Sequence, residues 1–341
     1  MKNKKVICLV LAVLLIVLTA CVATEPENDV VQTIPTDVTP NADGEITLCG
    51  QRFSVDSENL ALNLQIRSNE VLDLSPLAWC TQLRKLSINL TVVPHVYVDK
   101  FGDPHIADQT PTDLTPLSSL AGLEWLELRV GIVDDFTPLT RLPDLKTLVL
   151  WIEGDVDLAP LSACVSLTSL MLGGRGTVDL TPVSRCPALT NLRVDVYDAD
   201  WNTPDLSALS GAPCLQVLST GAVRGLKKLV NVPLTKLVDL NDSGDILENL
   251  PDLPTLEYVE FSDEHLCDIA PLLRSSSVCS IVLEVGAQDV ANMTTITSPD
   301  DPLLAYLVTS IPTAQLREFL AKAGASLAIV VDKNRTPGLA E

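Results

Sequence analysis

The residues able to do chemistry are few and stand apart from one another. Two of the three histidines, His95 and His105, share one stretch with Asp99, Asp103 and Asp108. Imidazole nitrogens and carboxylate oxygens together suit a divalent metal, so the stretch is a conceivable metal site. It also reads as a β-hairpin, because Val96 and Val98 alternate with other residues and Gly102-Asp103-Pro104 supplies a turn. The hairpin is the reading adopted. A second acidic segment, Asp198-Ala-Asp200-Trp-Asn202, begins like a calcium loop. It has no glycine at the sixth position and carries Leu209 at the twelfth, where a bidentate glutamate would stand, so calcium is not expected. A nucleophile elbow, a phosphate-cradling glycine loop, a paired-histidine zinc spacing and a distinctive pair of acids are all absent. The sequence therefore implies no cofactor, no metal and no enzyme, with a site in the loop insertions as the remote alternative.

One cysteine is different. Lys2, Lys4 and Lys5 precede an apolar run from Val6 to Leu18, and Leu18-Thr19-Ala20 leads into Cys21. The run is shorter than the roughly 20 residues a permanent span needs, and it has the three-part grammar of an export signal. Leu18 to Cys21 resembles the bacterial lipobox, which implies that Cys21 receives a diacylglyceryl group and becomes the first mature residue. The expected organisation is then a cleaved signal over 1–20 and a lipidated tether over 21–45, where Pro26, Pro35 and Pro40 mix with acids and show no apolar periodicity. As a flexible coil the tether would reach about 25–30 Å. The implied location is the extracytoplasmic face of a bacterial membrane, with two acyl chains holding the protein stably.

Charge narrows the partners. The chain of 341 residues is 47% hydrophobic with a formal net charge of −21. Losing three signal lysines takes it to −21 − 3 = −24. Such a surface repels phosphate backbones and anionic headgroups, so nucleic acid is not an expected partner and the membrane is contacted only through the anchor.

The elements that must position everything else come from an internal repeat. Asp113-Leu-Thr-Pro-Leu117, Asp135-Phe-Thr-Pro-Leu139, Asp157-Leu-Ala-Pro-Leu161 and Asp179-Leu-Thr-Pro-Val183 recur every 22 residues, with Asp73-Leu-Ser-Pro-Leu77 and Asp268-Ile-Ala-Pro-Leu272 as outlying copies. Before the later copies stands Leu-x-x-Leu-x-Leu, as at Leu123, Leu126 and Leu128. Taking the first leucine as slot one, copies start at 61, 83, 123, 145, 167, 189, 215, 234, 256 and 278. Alternation at slots four to six predicts a strand whose leucines enter a core that no single copy can close. Slots fourteen, seventeen and twenty are apolar too. A Ser or Thr before the slot-sixteen proline suits an N-cap opening a short helical or 3-10 turn.

The pattern resembles the bacterial internalin-type leucine-rich repeat. The resemblance implies an α/β solenoid, a horseshoe with a parallel sheet on its concave face and 3-10 turns on its convex face. Asn69 alone keeps that family's slot-nine asparagine; Gly131, Glu153 and Arg175 replace it. The expected boundaries are an N-terminal cap over 46–60, repeats over 61–286 with an insertion at about 92–111, and a C-terminal cap over 287–341. The second cap holds a helix within 312–323 and a strand over 326–331.

The register assigns roles. Cys80, Cys164 and Cys186 share slot twenty with Leu120 and Leu142 and read as small core residues; the slot-thirteen aspartates belong to their turns. Slots three, five and seven face outward on the concave side, which is the expected ligand-binding face. On that face Trp125, Val149, Trp151 and Met171 form a candidate apolar patch rimmed by Glu127, Arg129 and Arg193, with Tyr258 further along. Aromatic anchors surrounded by charge are the composition of interface hot spots. Packing against the insertion is the competing role. The function expected is recognition or adhesion toward a protein or glycan ligand; the alternative is an envelope scaffold holding a self partner.

Overall fold

The computed structural model describes residues 39–68, 70–94, 96–98, 104–106, 109–199, 202–220, 226–240, 253–262, 277–285, 294–296, 313–321 and 325–331. Cys21, the signal, Asn69, His95 and Cys267 lie outside them. The chain opens with an antiparallel hairpin, β1 (Glu45–Leu48) and β2 (Gln51–Ser54), turning at Cys49 and Gly50, both with positive φ. The repeat strands follow as β3 (Asn59–Arg67) and β4 (Lys85–Val93), separated from the next by the two-stranded β5 (Val96–Val98) and β6 (Pro104–Ile106). Then come β7 (Trp125–Arg129), β8 (Thr147–Glu153), β9 (Ser169–Arg175) and β10 (Asn191–Tyr197). Four shorter members continue the series: β11 (Val217–Thr220), β12 (Lys236–Leu240), β13 (Tyr258–Ser262) and β14 (Ser280–Val285). The described chain closes with β15 (Thr294–Ile296), α1 (Thr313–Leu320) and β16 (Ser326–Val331).

Twelve of these strands form one sheet in the order β15-β16-β14-β13-β12-β11-β10-β9-β8-β7-β4-β3. β15 runs antiparallel to β16 and every other pairing is parallel. Leu126, Leu148, Leu170 and Leu192 lie in one register row, and Leu128, Leu150, Leu172 and Val194 in the next. All eight are nearly or fully buried. Each contributes about 1.5–3 kcal/mol by leaving water, which is the reason the strands stack where they do.

In the first five copies the other half is a 3-10 turn: Ser75–Trp79, Thr115–Ser119, Thr137–Arg141, Ala159–Ala163 and Val183–Arg185. Leu77, Leu117, Leu139, Leu161 and Val183 of these turns are buried, as the strand leucines are. The Ser/Thr N-cap expectation is overturned. The cap position is Leu74, Leu114, Phe136, Leu158 or Pro182, with no side-chain cap bond. The slot-thirteen aspartate does the capping instead: Asp113 Oδ1 accepts from the Thr115 backbone N–H at 2.8 Å, and Asp73, Asp135, Asp157 and Asp179 repeat the contact. A carboxylate two residues ahead reaches the free N–H that the short serine or threonine side chain, on the same residue as that N–H, cannot reach.

A second correction concerns the first copy. Leu60 pairs with Leu86 and Leu62 with Ile88, so its slot one is Ser57 and not Ala61. The expected cap boundary at residue 60 therefore cuts into β3. The chain spends the four extra residues lengthening the β3–β4 pairing through Arg67 and Val93. Alternation has period two, so a shift of four keeps Leu62, Leu64 and Ile66 buried and the sequence pattern cannot distinguish the two registers.

At slot two, side chains tie neighbouring copies together. Glu124 is bracketed by Arg84 and Lys146, each at 2.8 Å, and the Thr168 and Thr190 hydroxyls donate to the backbone carbonyl 22 residues earlier at 3.1 Å. Thr235 does the same toward Gln216. These contacts bind successive turns in copies where the slot-nine asparagine is replaced.

Candidate binding surface

The outward positions fall into rows that the ladder sets residue by residue. Slot three runs Lys85, Trp125, Thr147, Ser169, Asn191, Val217, Lys236, Tyr258. Slot five runs Ser87, Glu127, Val149, Met171, Arg193, Ser219. In slot seven Asn89 lies beside Arg129, and Gly173 stands between Trp151 on one side and Asp195 on the other. Trp125, Val149, Trp151 and Met171 are all half-buried on this one face. Val149 and Met171 are direct neighbours; Trp151 follows Val149 on the same strand, and Trp125 is diagonal to it. Arg193 flanks Met171 on the far side. Tyr258 stands three strands beyond Arg193, in the same sheet and outside the patch.

Charge around the patch is organised. Glu127 accepts from Ser87 Oγ at 2.9 Å through one oxygen and from Arg129 Nε at 3.1 Å through the other. The guanidinium of Arg129 lies 3.9 Å from the centroid of the Trp151 ring. Arg193 Nε donates to Asp195 at 2.6 Å. Further along, Tyr258 donates to Glu260 at 2.6 Å, and burial together with that carboxylate pushes its phenol above the usual tyrosine range.

Sequence reasoning missed Gly173 and Gly174. A Cβ at Gly173 would come within 3.1 Å of the Trp151 ring, so the absence of a side chain lets the indole lie against the neighbouring strand. Gly174 has φ +115, and a Cβ there would collide with the Ile152 carbonyl oxygen. The signal was visible as a Gly-Gly pair breaking the alternation of β9, the usual mark of a close backbone approach. Trp151 Nε1 is buried and has no hydrogen-bond acceptor among the described residues.

The chemistry-bearing groups elsewhere are held by the fold. Cys80, Cys164 and Cys186 are buried free thiols, and burial pushes each up to about 11. The Cys164 and Cys186 thiols donate to the Leu139 and Leu161 carbonyls of the preceding copy. The Asp198 carboxylate accepts from both the backbone and side-chain nitrogens of Asn202. β5 and β6 pair antiparallel with Tyr97 opposite His105. The insertion re-enters beside β7, where Gln109 and Thr112 donate to the Val130 carbonyl. Among the described residues, no cluster of His, Cys, Asp and Glu is arranged to hold a metal, and no helix is long and apolar enough to cross a membrane.

A parallel strand row, a stacked leucine core and 3-10 turns between the described strands define the class: this is a leucine-rich-repeat solenoid. Two solved structures to which it is similar are internalin C2 of Listeria monocytogenes and the functional domain of InlJ from the same organism. The first is 18% identical, with 70% of this chain and 87% of that chain covered and a TM-score of 0.37. The second, described as including a cysteine ladder, is 17% identical, with 71% of this chain and 54% of that chain covered and a TM-score of 0.30. No protein-family model matches the sequence, and no curated protein matches it.

Proposed function

We propose that this chain is a lipid-anchored, extracytoplasmic recognition protein that holds a ligand protein on the outer face of its sheet. The observation that carries the reading is the patch of Trp125, Val149, Met171 and Trp151, four large apolar side chains on one half-buried face with an ordered charged rim. Half-buried aromatic anchors inside a polar rim lose their remaining water when a partner docks, which is where interface energy concentrates. Cys21, with Leu18 to Ala20 before it, is the anchoring residue in this reading.

A photo-crosslinking residue placed at Met171 in the full chain, with Val165 as a control, tests the surface. Val165 is 64% exposed in the loop between a 3-10 turn and the next strand. A discrete protein adduct from position 171, absent from 165 and lost in the Trp125→Ala/Trp151→Ala chain at unchanged melting temperature, is the expected result. An adduct that survives the double substitution overturns the reading. An adduct formed only with another envelope protein of the producing cell makes the chain a scaffold, and capture of a glycan without protein assigns the face to sugar. The anchor is tested separately: Cys21→Ser should abolish incorporation of an alkynyl fatty acid and release the chain from the membrane pellet.

A further inference from the structure

At the C-terminal ends of β4, β7, β8 and β9 the outer face sinks into a groove of about 620 Å³, whose lining includes Asn89, Arg129, Trp151, Glu153 and Arg175. Arg129 is held there from two directions. Its Nε is bound to Glu127, which Ser87 fixes in turn. Its plane lies on the Trp151 indole, and Gly173 supports that ring from the next strand. Four consecutive repeat strands thus contribute one residue or more to positioning a single guanidinium. Both Nη nitrogens of Arg129 are without a hydrogen-bond acceptor among the described residues. Glu127 spends one oxygen on Nε and the other on Ser87. Glu153 and Arg175, the other charges of the groove, are one of each sign and direct register partners across β8 and β9.

We infer that Arg129 is the receptor for a single carboxylate on a protein ligand, carried next to an apolar side chain that rests on Val149 and Met171. A guanidinium offers donors and no acceptor, and its two Nη groups match the two oxygens of a carboxylate. Ordering the side chain before the ligand arrives removes an entropy cost that a free surface arginine would meet on binding. The chain's net charge of −21 repels a run of acids, which restricts the ligand to an isolated carboxylate such as that of a C-terminal apolar residue. The inference rests on the ligand-face reading above and adds the chemistry of its polar anchor.

The probes are N-acetyl-leucine, N-acetyl-leucinamide and glucuronate, titrated against the full chain in detergent and read by saturation-transfer NMR. The acid should bind about tenfold or more tightly than the amide. Arg129→Gln should erase that preference by bringing the acid down to the amide's affinity, and Arg129→Lys should recover little of it, because a point charge lacks the fork. Glu127→Gln, which loosens the positioning contact and leaves Arg129 in place, should give an intermediate preference. Equal binding of acid and amide overturns the inference, as does a preference that survives Arg129→Gln. Tighter, Arg129-dependent binding of glucuronate would reassign the groove to acidic sugars. If the Met171 crosslink depends on Trp125 and Trp151 but not on Arg129, the ligand face stands and this inference falls.

Discussion

Single residues in this protein are chosen by what the next copy places beside them. Gly173 shows it most directly: its own strand does not require it and Trp151 of the strand before does, whereas Gly174 is required both by its own φ of +115 and by Ile152 of the strand before. Gly173→Ala should cost about 1 kcal/mol and shift the indole emission, since the ring must move by a few tenths of an ångström. Gly174→Ala meets backbone and a positive φ at once and should cost about 2–3 kcal/mol. Chemical denaturation of the two variants checks the order. The thiols make a second prediction. Cys80, Cys164 and Cys186 sit at about 11 against an ordinary value of 9.0. At pH 9 a free thiol is half ionised and these are about 1% ionised, so they should resist alkylation until denaturant is added. Because the folded value is raised, their contribution to stability is complete below pH 9 and is lost as pH rises through 11. Mass spectrometry after iodoacetamide at graded urea concentrations, and melting temperature across that alkaline window, check the two statements.

At the scale of the element, each 3-10 turn is opened by an aspartate outside it. Hydrogen bonds from Thr115, Thr137 and Thr181 hold the carboxyls of Asp113, Asp135 and Asp179 below their ordinary value of 3.8. A depressed folded value means these groups stabilise the fold above the unfolded pKa and cease to do so as pH falls through the folded one. The melting temperature should therefore decline below about pH 4. A chain with all three replaced by asparagine, which still accepts the bond but does not titrate, should decline less steeply. A parallel decline in the two chains would show that other carboxylates govern acid unfolding. The aspartates were legible in the sequence as turn residues. Their capping role was not, because deciding between the Asp and the Ser or Thr two positions later needs the backbone geometry of the turn.

Across the whole molecule, stability passes from copy to copy, and the end of the stack is where it can be lost first. Phe319 of α1 is fully buried, and β16 extends the sheet beyond β14. Phe319→Ala should cost about 3–5 kcal/mol locally. Hydrogen exchange should then quicken in β14 and β16 first while β7 to β9 stay protected; uniform quickening would mean that the stack unfolds as one unit. The division between sequence and structure follows the same geometry. A repeat of 22 residues with buried leucines at slots four and six is enough to specify a parallel solenoid and its outward face, since period-two alternation decides which side chains leave water. The placement of Trp125, Val149, Met171 and Arg193 on that face followed from the register alone. Alternation is blind to even shifts, so only the strand pairing settled that the first copy begins at Ser57. The sequence is likewise blind to contacts between copies of unequal side-chain size. The space left by Gly173, the indole that fills it and the guanidinium laid over that indole exist only once neighbouring strands are side by side, and that is why Arg129 is a defined donor in the folded chain and an ordinary rim charge in the sequence.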